Sequence, residues 1–212
     1  AKFAMSKPLV ALNAAKIAFR FTSISAMSLL GYGLNIAEII KRHGISHIHC
    51  HFMHAPLAYS IVASKIAGIS VSSIGHGHDV YVNDTDLKLK LSLCDFSVAV
   101  CKDMAQKLSN YKVGKVELLH CGVDLSLFSC TPNRLNESVK LLFIGRLVEK
   151  KGLQFLLPAI KKLSKKYAIC LDIVGEGPLM NDLKFLCEEL GLDKDVRFLG
   201  RRTPLWLSKN TS

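Results

Sequence analysis

The chain has 212 residues, of which 50% are hydrophobic and 21% charged, and its formal net charge is +11. This composition excludes global disorder, and the length suits one large domain or two small ones. The positive charge favours anionic partners such as nucleic acid, phosphorylated small molecules or an anionic membrane surface, although lysines that only solvate helix faces explain it equally well.

The cysteine pattern and the hydropathy of the sequence indicate in which cellular compartment the protein is expected. The seven cysteines show no Cys-x-x-Cys spacing and lie mostly in apolar runs, which is typical of free thiols in a reducing compartment. We therefore expect a cytoplasmic protein. The apolar stretch 9–34 is interrupted by Lys16 and Arg20, so we expect no membrane span there, while peripheral association with the inner face of a membrane stays open.

Apolar runs alternate with amphipathic segments through the first half of the chain. The predicted elements are a helix over 34–43, a strand over 45–52, a helix over 56–67, a strand over 70–75, a helix near 85–93, a strand over 96–100, a helix over 101–109 and a strand over 115–120. Strands that alternate with helices predict a parallel sheet with helices on both faces.

A polar, proline-containing segment at 131–138 is predicted to be a linker between a first domain at 1–130 and a second at 139–212. The second domain has predicted strands over 140–145, 168–175 and 196–200 and helices over 152–166 and 178–190. Pro158 should kink the first of these helices or shorten it. The β-α-β-α-β order predicts one half of a doubly wound nucleotide-binding sheet.

The stretch HIHCHFMH at 47–54 is the most conspicuous local feature. Its first three histidines are two residues apart, so in a strand they point to the same face. That arrangement permits a metal site. The alternative, which we favour, is a strand whose carboxyl end lines a binding cleft, with Pro56 starting the next helix.

Ligands bind beyond the carboxyl ends of the strands in open α/β sheets. The residues that follow predicted strands are Gly145 and Arg146, Gly175 to Gly177, His76 to Asp79, and Cys121 to Asp124. Lys151 and Gly152 lie at the start of the next helix. A guanidinium, an ammonium and unpaired helix amides directed at one point bind a diphosphate, although a basic surface loop would have the same composition.

Several of these segments resemble a known family. IGRLVEKKG, DIVGEGP and VRFLG resemble the carboxyl-terminal nucleotide-sugar domain of family-four glycosyltransferases, and HIHCHF, GHGHDVY and CGVDLSLF resemble motifs of its amino-terminal domain. The order and spacing of the motifs over about residues 34–200 carry the resemblance. Within the family, the motifs are most similar to those of exopolysaccharide enzymes of the colanic-acid type.

The resemblance implies a GT-B fold, an α/β architecture of two Rossmann-like, doubly wound parallel-sheet units with the active site in the cleft. It implies transfer of a sugar, with retention, from a nucleotide-diphosphate sugar to a glycan or lipid-linked acceptor in polysaccharide biosynthesis. No metal or other cofactor is required in that family, and nucleic acid is not an expected partner.

The resemblance also assigns roles to individual residues. Arg146 and Lys151 would stabilise the leaving diphosphate. His76 would be the catalytic residue that contacts the donor sugar. Gly145, Gly175, Glu176 and Gly177 would line the donor site, while His51, Asp79 and Gly122 would lie on the cleft or acceptor side. Asp79 either shapes its loop or binds acceptor, and Glu176 either lines the cleft or caps the following helix.

Two parts of the family pattern are missing from this sequence. These are an amino-terminal strand with a glycine-rich turn and a Glu-x₇-Glu element after the third strand of the second domain. We therefore expect a fragment with an incomplete second sheet and an exposed edge strand, inactive in transfer by itself. The alternatives are a nucleotide-sugar epimerase or glycan phosphorylase of the same fold, and a basic or histidine-rich binding module.

Overall fold

The computed structural model describes residues 8–128 and 138–210. The chain divides into a first unit, Ala1–Gly122, and a second unit, Val123–Ser212, each built on a parallel sheet. The predicted α/β class with parallel sheets in two units is thereby confirmed. The predicted linker at 131–138 lies outside the described residues except for Ser138, so the limits 1–130 and 139–212 stay predictions.

The first unit begins with two helices and then alternates strands with helices. In chain order the elements are α1 (Pro8–Ala18), α2 (Ala26–Arg42), β1 (His47–His51), α3 (Ala55–Ala67), β2 (Ser70–Gly75), α4 (Gly77–Tyr81), α5 (Leu87–Leu93), β3 (Phe96–Ala99), α6 (Lys102–Ser109) and β4 (Val116–Leu118). Helix α3 has a proline in its first turn and ends at Gly68, which adopts the left-handed conformation that favours glycine. Helix α4 falls between the strand predicted over 70–75 and the helix predicted near 85–93, where the sequence predicted no helix.

The four strands of the first sheet are parallel and lie in the order β1-β2-β3-β4. Because crossovers between parallel strands are right-handed, this sequential order places the linking helices on one face. Cys50, Val71 and Ala99 point to that face and are buried in the hydrophobic core. The histidines of β1 alternate with Cys50 and so lie on the opposite face.

The amino-terminal helices pack over α3. At their contact, a Cβ on Gly33 would lie only 2.8 Å from Cγ1 of Val62, so the absence of a side chain there lets α2 approach α3 closely. The loop between α1 and α2 is tied to the start of α5, since the Asp86 carboxylate accepts hydrogen bonds from the backbone and hydroxyl groups of Thr22 and Ser23. Burial raises the pKa of Asp86, but these hydrogen bonds outweigh it and hold the pKa below its ordinary value.

The second unit contains three parallel strands in the order β5-β6-β7. Its elements are β5 (Ser138–Ile144), a single 3₁₀ turn (Glu149–Lys151), α7 (Leu153–Leu163), β6 (Ala168–Val174), α8 (Met180–Leu190), β7 (Val196–Gly200) and α9 (Pro204–Asn210). Leu153, Leu157 and Ile160 on α7 pack against Leu171 and Ile173 of the central strand. In both sheets the strand order follows chain order, so the reversal of order that defines a doubly wound sheet does not lie within the described residues.

Helix α7 spans Leu153–Leu163 with Pro158 inside it, so it is shorter than the predicted 152–166, although its first half is present. A kink at Pro158 stays a prediction. Pro158 is the sixth residue of the helix and lacks only the N–H that would bond to the carbonyl of Gln154. Burial of the apolar face on both sides of the proline keeps the helix intact.

Two further expectations concern the cysteines and the membrane. The six cysteines in the described residues are free thiols, as predicted, and Cys130 lies outside those residues. Within the same part of the chain, no helix combines the length and the apolar character needed to cross a bilayer.

Candidate functional site

The loops that follow β5 and β6 are joined by backbone hydrogen bonds. The Gly145 amide donates to the carbonyl of Val174 at 3.0 Å, and the Leu147 amide donates to that of Glu176 at 3.0 Å. Leu147 is fully buried in the core of the second unit and anchors the first loop there. The chain directly after two neighbouring strands is thereby fixed as one rigid edge.

Two glycines make this contact possible. Gly175 has a φ of +144°, and a Cβ on it would lie 1.8 Å from the Gly145 carbonyl oxygen. A Cβ on Gly177 would lie 2.4 Å from the carbonyl oxygen of Leu147. Since neither position has room for a side chain, the spacing Gly-x-Gly follows from backbone packed directly on backbone.

A pocket of about 470 Å³ opens at this edge of the sheet. Four of the predicted donor-site residues line it, namely Gly145, Arg146, Gly175 and Glu176, together with Arg201 and Arg202. All three arginines are exposed, and Arg202 also lies over the ring of Trp206 at 5.0 Å. Three guanidinium groups around one carboxylate give the pocket a net positive lining, which suits an anionic ligand.

Lys151 lies beside this pocket rather than among the residues that line it. It is the last residue of the 3₁₀ turn, and its Cε lies 3.7 Å from the position of a Cβ on Gly145. The amides of Lys151 and Gly152 donate to the carbonyls of Val148 and Glu149, so they close the turn. These two amides are therefore not available to a ligand, and the predicted contribution of the first amides of α7 stays a prediction.

In the first unit, a buried carboxylate holds the loops after β1 and β2. Asp79 is 1% exposed, and its Oδ2 accepts hydrogen bonds from the amides of Met53 at 2.9 Å and His76 at 3.3 Å. Its Oδ1 has no hydrogen-bond partner among the described residues and lies 3.8 Å from Nε2 of His54. Asp79 thus determines the shape of both loops.

His76 is half-buried among aromatic rings at the carboxyl edge of β1 and β2. Its ring centroid lies 4.9 Å from that of Phe52 and 6.5 Å from that of His51, so two of the predicted residues come together here. Phe52 has a φ of +82°, which is unfavourable for a bulky side chain, and its amide donates to the Ile74 carbonyl at 3.1 Å. Strain of this kind concentrates at functional sites, and the catalytic role of His76 stays a prediction.

The histidine run lies on the exposed face of the first sheet. Nδ1 of His47 and of His49 lie 2.6 Å and 2.8 Å from the hydroxyls of Ser70 and Ser72 respectively, and Nε2 of His47 lies 2.7 Å from the Ser72 hydroxyl. Burial, and then the charges of His51 and His47, lower the pKa of His49. In the described part of the chain, no group of three or more His, Cys, Asp or Glu side chains is placed to hold a metal ion. The run forms a network with serines of β2.

Gly122 is exposed and ends the first unit, and a Cβ added there would meet no atom within 4 Å. Packing around Gly122 therefore does not require a glycine. The neighbouring Asp124 is used locally, since its carboxylate accepts from the amide and hydroxyl of Ser126, which lowers its pKa.

Arg201 and Arg202 are the site residues that the sequence argument missed. They directly follow Gly200, the last residue of β7, so the rule that ligands bind beyond strand ends would have identified them. The stretch VRFLG, on which the sequence argument relied, ends at Gly200.

Family models match both halves of the chain. The model described as Glycosyltransferase Family 4 matches residues 11–127, and the one described as Glycosyl transferases group 1 matches residues 132–206. One of the subunits of human phosphatidylinositol N-acetylglucosaminyltransferase is 28% identical over 173 residues, which are 76% of this chain and 36% of that protein.

Solved structures share the fold at low sequence identity. The apo form of the lipopolysaccharide outer core galactosyltransferase WaaB has a TM-score of 0.70 and 14% identity, over 90% of this chain and 54% of that one. Anabaena HepE, solved in complex with UDP and glucose, has a TM-score of 0.62 and 19% identity, over 81% of this chain and 53% of that one. The chain therefore spans about a third to a half of the length of these relatives.

Proposed function

Because the chain belongs to glycosyltransferase family 4, we propose that its enzyme transfers a sugar, with retention, from a nucleotide-diphosphate donor to a glycan or lipid-linked acceptor. One observation carries the proposal. A single pocket at the carboxyl ends of the strands of the second sheet is lined by Arg146, Arg201 and Arg202 together with the glycine loops that follow β5 and β6. Polysaccharide biosynthesis at the inner face of a membrane is the setting we propose.

The positive pocket would stabilise the leaving group. As the glycosidic bond of the donor stretches, negative charge develops on the departing diphosphate. Fixed cations that face that charge lower the barrier, and here the guanidinium groups supply them where other enzymes use a metal ion. We therefore propose that Arg146 binds the diphosphate directly and that Lys151, beside Gly145, adds a second charge.

Two further residues take roles in this scheme. Glu176 is the carboxylate in the lining of the pocket and would accept a hydrogen bond from a hydroxyl of the sugar or ribose. His76, at the end of β2 and partly enclosed by Phe52, would contact the donor sugar. Its half-buried position suits a group that must meet substrate and still keep a fixed orientation.

The names of similar proteins support the chemical classes of donor and acceptor. HepE binds UDP and glucose, which is consistent with a nucleotide-sugar donor here. The human relative is named for an enzyme that acts on phosphatidylinositol, a lipid, and this supports a lipid-linked acceptor.

Calorimetric titration of the chain with UDP tests the donor site. We expect binding that weakens at least about tenfold in Arg146→Ala, because a charge-assisted contact is lost. The matched control is Arg42→Ala, which removes the same charge from an exposed helix-surface pair in the first unit. Absence of UDP, GDP and ADP binding to the wild-type chain, or equal effects of the two substitutions, would overturn the proposal.

A comparison of two neighbouring lysines makes the UDP titration more specific. Lys150 and Lys151 belong to the same 3₁₀ turn, and the side chain of Lys151 is the one that lies against Gly145. We expect Lys151→Ala to weaken UDP binding more than Lys150→Ala does. An epimerase or phosphorylase is distinguished by the reaction itself, since a transferase releases UDP only when an acceptor is present.

A further inference from the structure

A second pocket, of about 330 Å³, lies within the first unit. The residues that matter for its chemistry are Ser23, His54, Ala55, His78, Asn83 and Lys90. They come from the loop before α2, the start of α3, the short helix α4, the segment leading into α5 and, for Lys90, α5 itself. No carboxylate is among the described residues that line it, whereas hydrogen-bond donors are plentiful.

Lys90 is the unusual member of this lining because it is only 3% exposed. Its ammonium donates to the carbonyl oxygen of Thr85 at 2.7 Å, and in the described part of the chain it forms no ion pair within 4.0 Å. An ammonium has three N–H donors, so two remain for a ligand. Burial lowers the pKa of Lys90, and the charges of Asp86 and Asp79 oppose that shift.

The two carboxylates that act on the charge of Lys90 are engaged with other groups, except for Oδ1 of Asp79, which lies 3.8 Å from Nε2 of His54. Asp86 and Asp79 favour the charged form of Lys90 from a distance. However, Asp86 accepts the hydrogen bonds of Thr22 and Ser23, and Asp79 accepts those of two backbone amides. Ser23 therefore already uses its hydroxyl proton. The lysine lies in the pocket wall without a direct counterion.

The amino-terminal end of helix α3 opens at the same pocket. This helix has 13 residues, and its N-cap residue, His54, makes no side-chain hydrogen bond to the first turn. Ala55, the first helical residue, lines the pocket. Pro56 in the first turn has no N–H, so the amide of Ala55 and the positive end of the helix dipole are what attract an anion there, and the buried ammonium of Lys90 adds a full charge beside them.

We propose that this pocket binds the phosphate group of a phosphorylated ligand. Lys90 and the first turn of α3 would hold its oxygens, with the side chains of His54, His78 and Asn83 as further donors. The donor diphosphate is assigned to the second unit, so this phosphate would belong to the acceptor. That last assignment rests on the proposed function, whereas the anion site itself does not.

Titration of the whole chain with inorganic phosphate and with pyrophosphate, followed by the amide resonance of Ala55, tests the site. We expect a saturable shift in the wild-type chain and an affinity at least about tenfold weaker in Lys90→Met. The matched control is Lys88→Met, which removes the same charge from an exposed position on the same helix. Equal losses in both variants, or no saturable shift in the wild type, would overturn the proposal.

A second variant keeps the test informative if Lys90→Met fails to fold. His78 is exposed, so His78→Ala should leave the fold unchanged and weaken phosphate binding severalfold. Unchanged phosphate affinity in folded His78→Ala would contradict the site. UDP titration of the same variants separates the two proposals, because the second unit should bind UDP normally in each.

Vesicle binding distinguishes the source of the phosphate. Phosphatidylcholine vesicles with and without phosphatidic acid serve as probes, again with Lys90→Met and Lys88→Met. Retention that requires both phosphatidic acid and Lys90 identifies a lipid phosphate. Saturable pyrophosphate binding without that retention identifies a phosphate in solution, and both outcomes support the site. Lack of binding in every arm contradicts it.

Discussion

The loops at the carboxyl ends of the two sheets are held by different means. In the first unit a single buried carboxylate, Asp79, joins the loops after β1 and β2 through two amides. In the second unit the loops after β5 and β6 touch backbone to backbone, because Gly175 and Gly177 carry no side chain. The first arrangement depends on an ionisable side chain and the second on shape.

This difference predicts which kind of substitution destabilises each unit. Removing a carboxylate leaves buried donors unpaired, whereas adding a methyl group forces two loops apart. The first unit should therefore respond to the loss of a polar group, and the second to an increase in side-chain volume.

The largest effect is expected at Gly175. Gly175→Ala places a Cβ 1.8 Å from a carbonyl oxygen, so the loops must separate. We expect the free energy of unfolding of the second unit to fall by more than about 3 kcal/mol. Urea unfolding followed by fluorescence of Trp206, the single tryptophan of the chain, reports on this unit.

The control for that change is Gly77→Ala in the first unit, where a Cβ would meet no atom within 4 Å. We expect its effect on unfolding to stay below about 1 kcal/mol. A Gly175→Ala chain as stable as the Gly77→Ala chain would show that the two loops are not in rigid contact.

An intermediate effect is expected at Asp79. Asp79→Ala leaves the amides of Met53 and His76 without their acceptor in a buried environment, which should cost about 2–3 kcal/mol. Circular dichroism during urea unfolding measures it. Asp103→Ala removes an exposed carboxylate that accepts from the Tyr81 hydroxyl, and it should cost less than about 1 kcal/mol. Equal costs would contradict the anchoring role of Asp79.

The smallest effect concerns pH. Burial and the neighbouring histidines lower the pKa of His49 from its ordinary value of 6.5, so the unfolded chain binds a proton more readily than the folded one. Stability should therefore fall as the pH decreases through 6.5 and level off below the folded pKa. Because His49 is exposed, solvent screening limits the effect to less than about 0.5 kcal/mol.

The pH effect is measured as the change in melting temperature of the first unit between about pH 7.5 and pH 5.5. His49→Gln should show a smaller change than the wild type does. A larger change in the variant would reverse the sign argued from the lowered pKa of His49.

Much of the fold was predictable because local patterns determine it. Apolar runs identified the seven strands of the described residues. The helices α3 and α8 end at Gly68 and Gly191, which adopt the left-handed conformation that favours glycine. Because ligands bind beyond strand ends, Gly145, Arg146 and Gly175 were predicted to lie at one edge of the second sheet, and all three line the same pocket there. The Gly-x-Gly pattern of Gly175 and Gly177 could be recognised in the sequence because close backbone contact at both positions leaves room only for glycine.

The remainder depended on contacts between distant parts of the chain. Asp79 pairs with the amide of Met53, 26 residues away, which no local pattern indicates. Lys90 has the spacing of an ordinary surface lysine, and its burial results from how α5 packs beside α3. Pro158 predicts a kink or a shortened helix. The sequence alone does not show how tightly the apolar face of α7 packs on either side of the proline.

The most direct test of the donor site is a map of amide chemical shifts as UDP is added to the chain. We expect the loops around Asp79 to change little and the largest changes to fall on the residues that line the pocket of the second unit, namely Gly145, Arg146, Gly175, Glu176, Arg201 and Arg202. Saturating shifts confined to the first unit, or no shifts at millimolar UDP, would contradict it.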